Sequence, residues 1–496
     1  MRESSAVGRP GIFRSEGFIV YLTLIAGTLL AWLPLLGASL PVNDDFTFLT
    51  VIQKEGLAGY LRVYGFWRPL GQYPQLWLFL KNPAYHPLLV VTTHLIVVLL
   101  FFHLCRSLFG GVRLPLGAAL VVAMVPLSYE AFTWIITYNY IVPMVFFLAN
   151  LLLLIGHDRF KGPLPLKFCL SALLSLLAVL GNECVFFASA VCGLFALVEA
   201  ASSPRGAAFS RAQGWLALAP LAGCLVWMGL FYAFPGPGMP KRVTSIHLFS
   251  VFGVYLRQYS LLDVFVPWFN PTTRSFLFAA WTKPLWVAVL ACVPPFLLGL
   301  WRLSRPDLPS EKSRGKEWRT LLALLALLAG GSLIYVLAGG FTLDTRKKYP
   351  LVIFMLLLLC WLYRAAPWRR IPARSFFACA AALSIGGAMT AWMAVGIWKY
   401  EALRYNQLAD FVVEHDLEGP LRIVLHPDIE AAWPQERRSL EFGFDDENVL
   451  HAAILYRGGK VVGSAGDGPA TVVEFDPALG RWTLPVTMPA SDAAGR

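Results

Sequence analysis

Residues 18–37 read FIVYLTLIAGTLLAWLPLLG, an unbroken apolar run, and six residues beyond its end comes Asn43-Asp44-Asp45. A helix of about 20 apolar residues is enough to cross a bilayer core, so this run predicts a membrane span. Two carboxylates where such a helix leaves the lipid are costly unless they are solvated, paired or used, which makes Asp44 and Asp45 candidate functional residues. The apolar core of a cleaved secretory signal is only about 7–15 residues long. The run exceeds that and further runs follow, so it reads as an uncleaved signal-anchor.

Comparable apolar runs recur at 87–105, 114–128, 141–156, 167–181, 184–200, 214–234, 284–301, 320–338, 350–363 and 375–398. The chain is 57% hydrophobic and 14% charged, with a mean hydropathy of +0.61. Globular domains carry about 25% charged residues, so a soluble protein is excluded. The fold class expected is an α-helical polytopic membrane protein with about eleven transmembrane helices, one per run. Helices are required because a lone span must satisfy its own backbone, and the alternating pattern of barrel strands is absent.

Lysine and arginine set the orientation. With Arg2, Arg9 and Arg14 cytoplasmic, the inside loops also hold Arg106, Arg113, Arg159, Lys161, Arg205 and Arg211, a dense run from Arg302 to Arg319, and Arg364 to Arg374. The outside loops at 128–140 and 181–184 hold none. Asp44, Asp45 and the C-terminal tail then lie outside. From Lys399 onward nine basic and sixteen acidic residues give a balance of −7, against +11 for the whole chain. The excess of positive charge in the membrane part follows from its topology, and no nucleic-acid-binding motif accompanies it. All eight cysteines fall in apolar stretches without a CxxC pair, which argues against a disulfide framework or thiolate metal site.

Two domains are expected. Residues 1–398 form the transmembrane domain, with interfacial helices in the aromatic-rich outside loops 38–86 and 235–283. Residues 399–496 form a small soluble α/β domain, with a helix near 400–415, strands at 421–425, 451–456 and 471–475, and a turn at Asp476-Pro477-Ala478-Leu479-Gly480.

Four polar elements map to the outer face: Asp44-Asp45; Ser128-Tyr129-Glu130 followed by Tyr138-Asn139-Tyr140; Gly181-Asn182-Glu183; and Asp344-Thr345-Arg346-Lys347-Lys348-Tyr349-Pro350. Three cations in a short outside loop oppose the positive-inside bias, and an anionic ligand such as a lipid phosphate explains their retention. Glu183 either locks two helices by pairing with an arginine or faces a site, and Glu130 has a helix-end or interface role before a catalytic one. His86 and His94 share a helix face, but no nearby carboxylate completes a metal site. A carboxylate near solvent can act as general base toward a hydroxyl, and nearby cations can stabilise a leaving phosphate. Sugar transfer from a polyprenyl phosphate uses both.

From about residue 17 to 365 the chain resembles the GT-C glycosyltransferases, and within them the bacterial relatives of the transmembrane-and-TPR protein O-mannosyltransferases. Asp44-Asp45 resembles the acidic motif of the first outside loop. Trp67-Arg68-Pro69-Leu70, with Tyr85-His86 and His94, is similar to the approach to the second span. The stretch Pro126 to Trp134 resembles the exit of the third span, and Asn182-Glu183 resembles a Lys-Glu element with asparagine in place of lysine. Arg346-Lys347-Lys348-Tyr349-Pro350 looks like the arginine-tyrosine-proline loop that meets the lipid phosphate. No TPR repeats follow, so the protein-mannosylating role does not carry over.

The resemblance implies an inverting transferase in a bacterial inner membrane, with the N-terminus cytoplasmic and the tail periplasmic. It would pass a sugar from a polyprenyl-phosphate donor to an envelope lipid, glycan or protein acceptor. Asp44, then Asp45, would be the base. Arg346, Lys347, Lys348 and Arg68 would hold the donor phosphate, and Glu130, Glu183, Tyr138 and His86 would shape the sugar or acceptor pocket. No metal ligands are assigned, though a divalent cation is a possible cofactor. The rivals are a transporter or flippase of a lipid-linked anion and a non-catalytic scaffold.

Overall fold

The computed structural model describes residues 16–38, 40–41, 45–126, 130–133, 135–156, 160–202, 208–237, 274, 276–304, 318–337, 345–365, 373–417, 421–424, 453–458, 471–476 and 481–484. Nearly all of them are helical. In chain order the helices are α1 (Glu16–Trp32), α2 (Asp45–Tyr64), α3 (Pro69–Lys81), α4 (Tyr85–Phe109), α5 (Arg113–Met124), α6 (Glu130–Thr133), α7 (Val142–Ile155), α8 (Leu164–Gly181), α9 (Phe186–Ser202), α10 (Ala208–Ala233), α11 (Lys283–Ser304), α12 (Trp318–Leu337), α13 (Thr345–Ala365) and α14 (Ala373–Glu414).

Among the described residues seven helical stretches are long and apolar enough to cross a membrane: Gly17–Gly37, Tyr85–Phe109, Ile135–Ile155, Leu164–Gly181, Gly214–Ala233, Lys283–Trp301 and Phe377–Glu414. Shorter apolar helices, Arg113–Met124, Glu183–Leu194, Leu321–Gly330 and Tyr349–Arg364, occupy the other apolar segments. The chain is therefore a helical, multi-pass membrane protein. Its main core runs through α1, α4, α5, α7 and α13, with Leu24, Trp32, Phe101, Leu120, Phe147 and Phe354 wholly buried. Between apolar helices in lipid there is little hydrophobic drive, so small and polar residues carry the contact. Gly223 on α10 shows this: a Cβ there would lie 2.4 Å from the Ala172 carbonyl oxygen of α8. Asn150 of α7 bonds Ser171 and Ser175 of α8 at 2.7 and 2.8 Å.

The segment between the first two long helices folds into α2 and α3, as its composition predicts. α2 breaks at Gly56, whose φ of 62° suits a residue without a Cβ. Loop 235–283 is described only at its two ends, so its expected interfacial helices lie outside the described residues.

The helix expected near 400–415 is no separate element. It is the end of α14, which runs unbroken for 42 residues through the composition boundary at 398/399. Strands β1 (Leu421–Val424), β2 (Thr471–Asp476) and β3 (Arg481–Thr483) form one sheet in that order, β1 parallel and β2 antiparallel to its neighbour β3. The turn expected at 477–480 lies outside the described residues. The expectation of a strand at 451–456 is corrected: residues 453–456 are helical. Ala453 and Ile454 are both buried, and both their carbonyls accept the Arg457 N–H. Two consecutive buried side chains fit a helical turn against α14 and break the alternation of a strand.

Candidate functional site

The six residues Ile135–Tyr140 form a fully buried 3₁₀ helix at the end of the bundle where α2 and α3 sit. Four polar contacts fan out from it or beside it, each to a different element.

The first is to Asp45. Its side chain is wholly buried at the start of α2, and Oδ1 accepts the Ile136 N–H at 3.0 Å. An acid in the first turn of a helix also gains from the helix dipole. Asp44 lies outside the described residues.

The second is to the Arg68–Glu183 pair. Arg68 donates from Nε to Oε2 and from Nη2 to Oε1 of Glu183, both at 2.7 Å. The side chains are 17% and 8% exposed. This is the bidentate geometry that makes arginine–carboxylate pairs strong. The guanidinium also lies 4.8 Å from the Trp67 ring centroid and 5.8 Å from that of Tyr140. Burial opposes the Arg68 charge, but the Glu183 carboxylate and Tyr140 outweigh it and hold the pKa above its ordinary value. The backbone is as constrained as the side chain. Arg68 has φ 52° and ψ 39°, the left-handed region, immediately before Pro69, which disfavours the right-handed one. Of the two roles open for Glu183 in the sequence, the arginine lock is therefore formed, tying the α2–α3 turn to the end of α8.

The third contact is Asn139 to Asn182, whose Nδ2 donates to Asn139 Oδ1 at 3.2 Å. Asn182 Oδ1 accepts the Cys184 N–H at 2.9 Å and so caps the short helix that carries Glu183. α3 closes over this pair at Gly71, where a Cβ would lie 2.1 Å from the Gly181 carbonyl oxygen and 2.6 Å from Asn139 Cβ.

The fourth contact is Tyr138 to Thr93, with the hydroxyls 2.8 Å apart. The next residue, His94, is buried between Ala123 and Tyr349. The Ala123 carbonyl can only accept, so Nε2 carries the proton and Nδ1, at 2.7 Å, accepts from the Tyr349 hydroxyl. Phe132 stacks on Trp32 at 3.6 Å and meets the rings of both His94 and Tyr349 edge-on. Tyr349 and Pro350 are buried in the first turns of α13, directly after Arg346, Lys347 and Lys348. The side chains of those three cations lie outside the described residues, as does that of Glu130, whose backbone opens α6.

His86 is buried at the start of α4, about two turns before Thr93. Among the described residues no three His, Cys, Asp or Glu side chains group as metal ligands. Sequence reasoning named most of these residues but missed their partners. It also missed Gly71 and the bonds from the Tyr60 hydroxyl to Gln72 Oε1 and the Trp67 carbonyl, at 2.6 and 2.8 Å. The glycine in Arg68-Pro69-Leu70-Gly71 was the available signal. Searches with protein-family models and against curated proteins find no match to the chain.

Proposed function

We propose that the chain is an inverting GT-C-type glycosyltransferase of the cell envelope, with about eleven spans counting the four shorter apolar helices. Its N-terminus is cytoplasmic, and its small α/β tail and the α2–α3 end of the bundle are periplasmic. One observation carries the reading. The 3₁₀ segment Ile135–Tyr140 gathers Asp45, the Arg68–Glu183 pair and Asn182, and through Thr93 and His94 it adjoins Tyr349, the residue after the cationic triplet. Motifs scattered over some 300 residues of sequence thus meet at one end of the bundle.

In this mechanism the acceptor hydroxyl attacks the anomeric carbon of a polyprenyl-phosphate sugar. Asp44 takes the hydroxyl proton, and the bond from the anomeric carbon to the phosphate oxygen breaks. The electron pair leaves with the polyprenyl phosphate, which Arg346, Lys347 and Lys348 stabilise. Asp45, fixed by the Ile136 N–H, orients the segment that bears the base. Arg68 commits its Nε–H and one Nη2–H to Glu183, so it serves the phosphate through its three remaining Nη protons. Direct displacement inverts the anomeric centre.

Transport sites lie among polar groups within apolar helices, and among the described residues Asn150, Ser171 and Ser175 form such a cluster. These uncharged groups bond one another, which is the ordinary chemistry of helix–helix adhesion. The test is donor binding. Purified protein in nanodiscs is titrated with fluorescent polyprenyl-phosphate hexose; Arg346→Ala and Lys347→Ala are expected to weaken binding about tenfold each, roughly one lost charged contact. Unchanged affinity in both removes the phosphate loop from the mechanism.

A further inference from the structure

The soluble tail grips both flanks of the acidic pair. On one side the Pro41 carbonyl accepts Asn406 Nδ2 at 2.9 Å. On the other, Phe46 is wholly buried among Tyr405, Leu408, Val412, Ile454, Val473 and Trp482, residues of the end of α14 and the tail beyond it. Arg457 joins the two grips. It donates from Nη2 to Asn406 Oδ1 and from Nε to Asp410, while its guanidinium lies 5.3 Å from the Phe46 ring centroid. Asn406 is only 7% exposed, and its amide is fully used: the oxygen accepts from Arg457, and the nitrogen donates to the Pro41 and Ala402 carbonyls. No apolar or acidic side chain of that size can do this.

We propose that Arg457 and Asn406 are positioning residues for the acidic start of α2, so that the tail sets the placement of Asp45 and of the helix it begins. The role in turnover rests on the reading of Asp44 and Asp45 given above. The clamp itself rests only on the contacts. It gives the tail a function inside the catalytic cycle: whatever loosens 453–458 or the end of α14 releases the helix that begins at Asp45.

Hydrogen–deuterium exchange on the full-length protein in nanodiscs tests the clamp without any substrate. In Arg457→Met and in Asn406→Leu, amides of residues 45–52 are expected to exchange about tenfold faster while those of 85–109 keep wild-type rates. Arg457→Lys retains the charge but not the forked contact and should also loosen them. Unchanged exchange at 45–52, or a rise spread evenly over the chain, overturns the proposal. A second arm follows turnover of radiolabelled polyprenyl-phosphate hexose with envelope extract as acceptor source. A fall in kcat on the order of tenfold with unchanged donor KM supports positioning. Local loosening without any loss of turnover, where Asp44→Asn is inactive, overturns it. If Asp44→Asn and Asp45→Asn both turn over normally, the base assignment fails instead, and the exchange arm still decides the clamp.

Discussion

At Gly71 the room for a side chain is gone, because the obstacles to a Cβ are the Gly181 carbonyl oxygen and the backbone and Cβ of Asn139. None of these can swing aside as the tip of a long side chain would. Gly71→Ala should therefore destabilise the protein by about 1–3 kcal/mol, the usual cost of overpacking. Thermal unfolding followed by size-exclusion chromatography in detergent checks this, and a wild-type midpoint would mean that α3 sits further from α8. The sequence hinted at the glycine but not at its neighbour, since the contact spans more than a hundred residues. Asp45 shows the same limit. Its carboxylate was legible as unusual from its place at a membrane exit, whereas its bond to the Ile136 N–H depends on a 3₁₀ turn that no periodicity announces.

Among the elements, the α2–α3 turn and the end of α8 are joined by the largely buried Arg68–Glu183 ion pair. Removing one partner of such a pair leaves an uncompensated charge and costs about 3–5 kcal/mol, while replacing both by apolar groups is often near neutral. Glu183→Leu and Arg68→Leu alone should each lower stability by that amount, and the double variant should recover most of it. Activity separates the two roles of the pair. A stable double variant that transfers sugar at the wild-type rate confines Arg68 and Glu183 to locking the helices, and a stable but inactive one places them in the site. Elsewhere, element type followed apolarity closely: the long runs are helices, and 421–424 and 471–476 are strands as their β-branched composition predicts. The misreading of 451–456 came from a short apolar stretch whose two periods cannot be told apart by sequence, and packing on α14 decided it.

For the whole molecule, the class of fold was legible because a bilayer permits so few solutions to backbone hydrogen bonding. The boundary between membrane part and tail was less so. Composition changes near 399, but α14 crosses that point without a break and carries Tyr405, Asn406 and Asp410 into the contacts around Phe46. The residue types proposed for the site could be named from sequence, but the contacts among the described ones could not, since the 3₁₀ segment that joins them is read in sequence only as a polar exit loop. The central claim is that the acidic pair at the first membrane exit removes a proton during sugar transfer. Its most direct measurement is the transfer of radiolabel from polyprenyl-phosphate hexose by purified Asp44→Asn and Asp45→Asn protein. Loss of general-base catalysis predicts a fall of about 100-fold or more in kcat for Asp44→Asn, with donor binding intact. Transfer at the wild-type rate by both variants would contradict the claim.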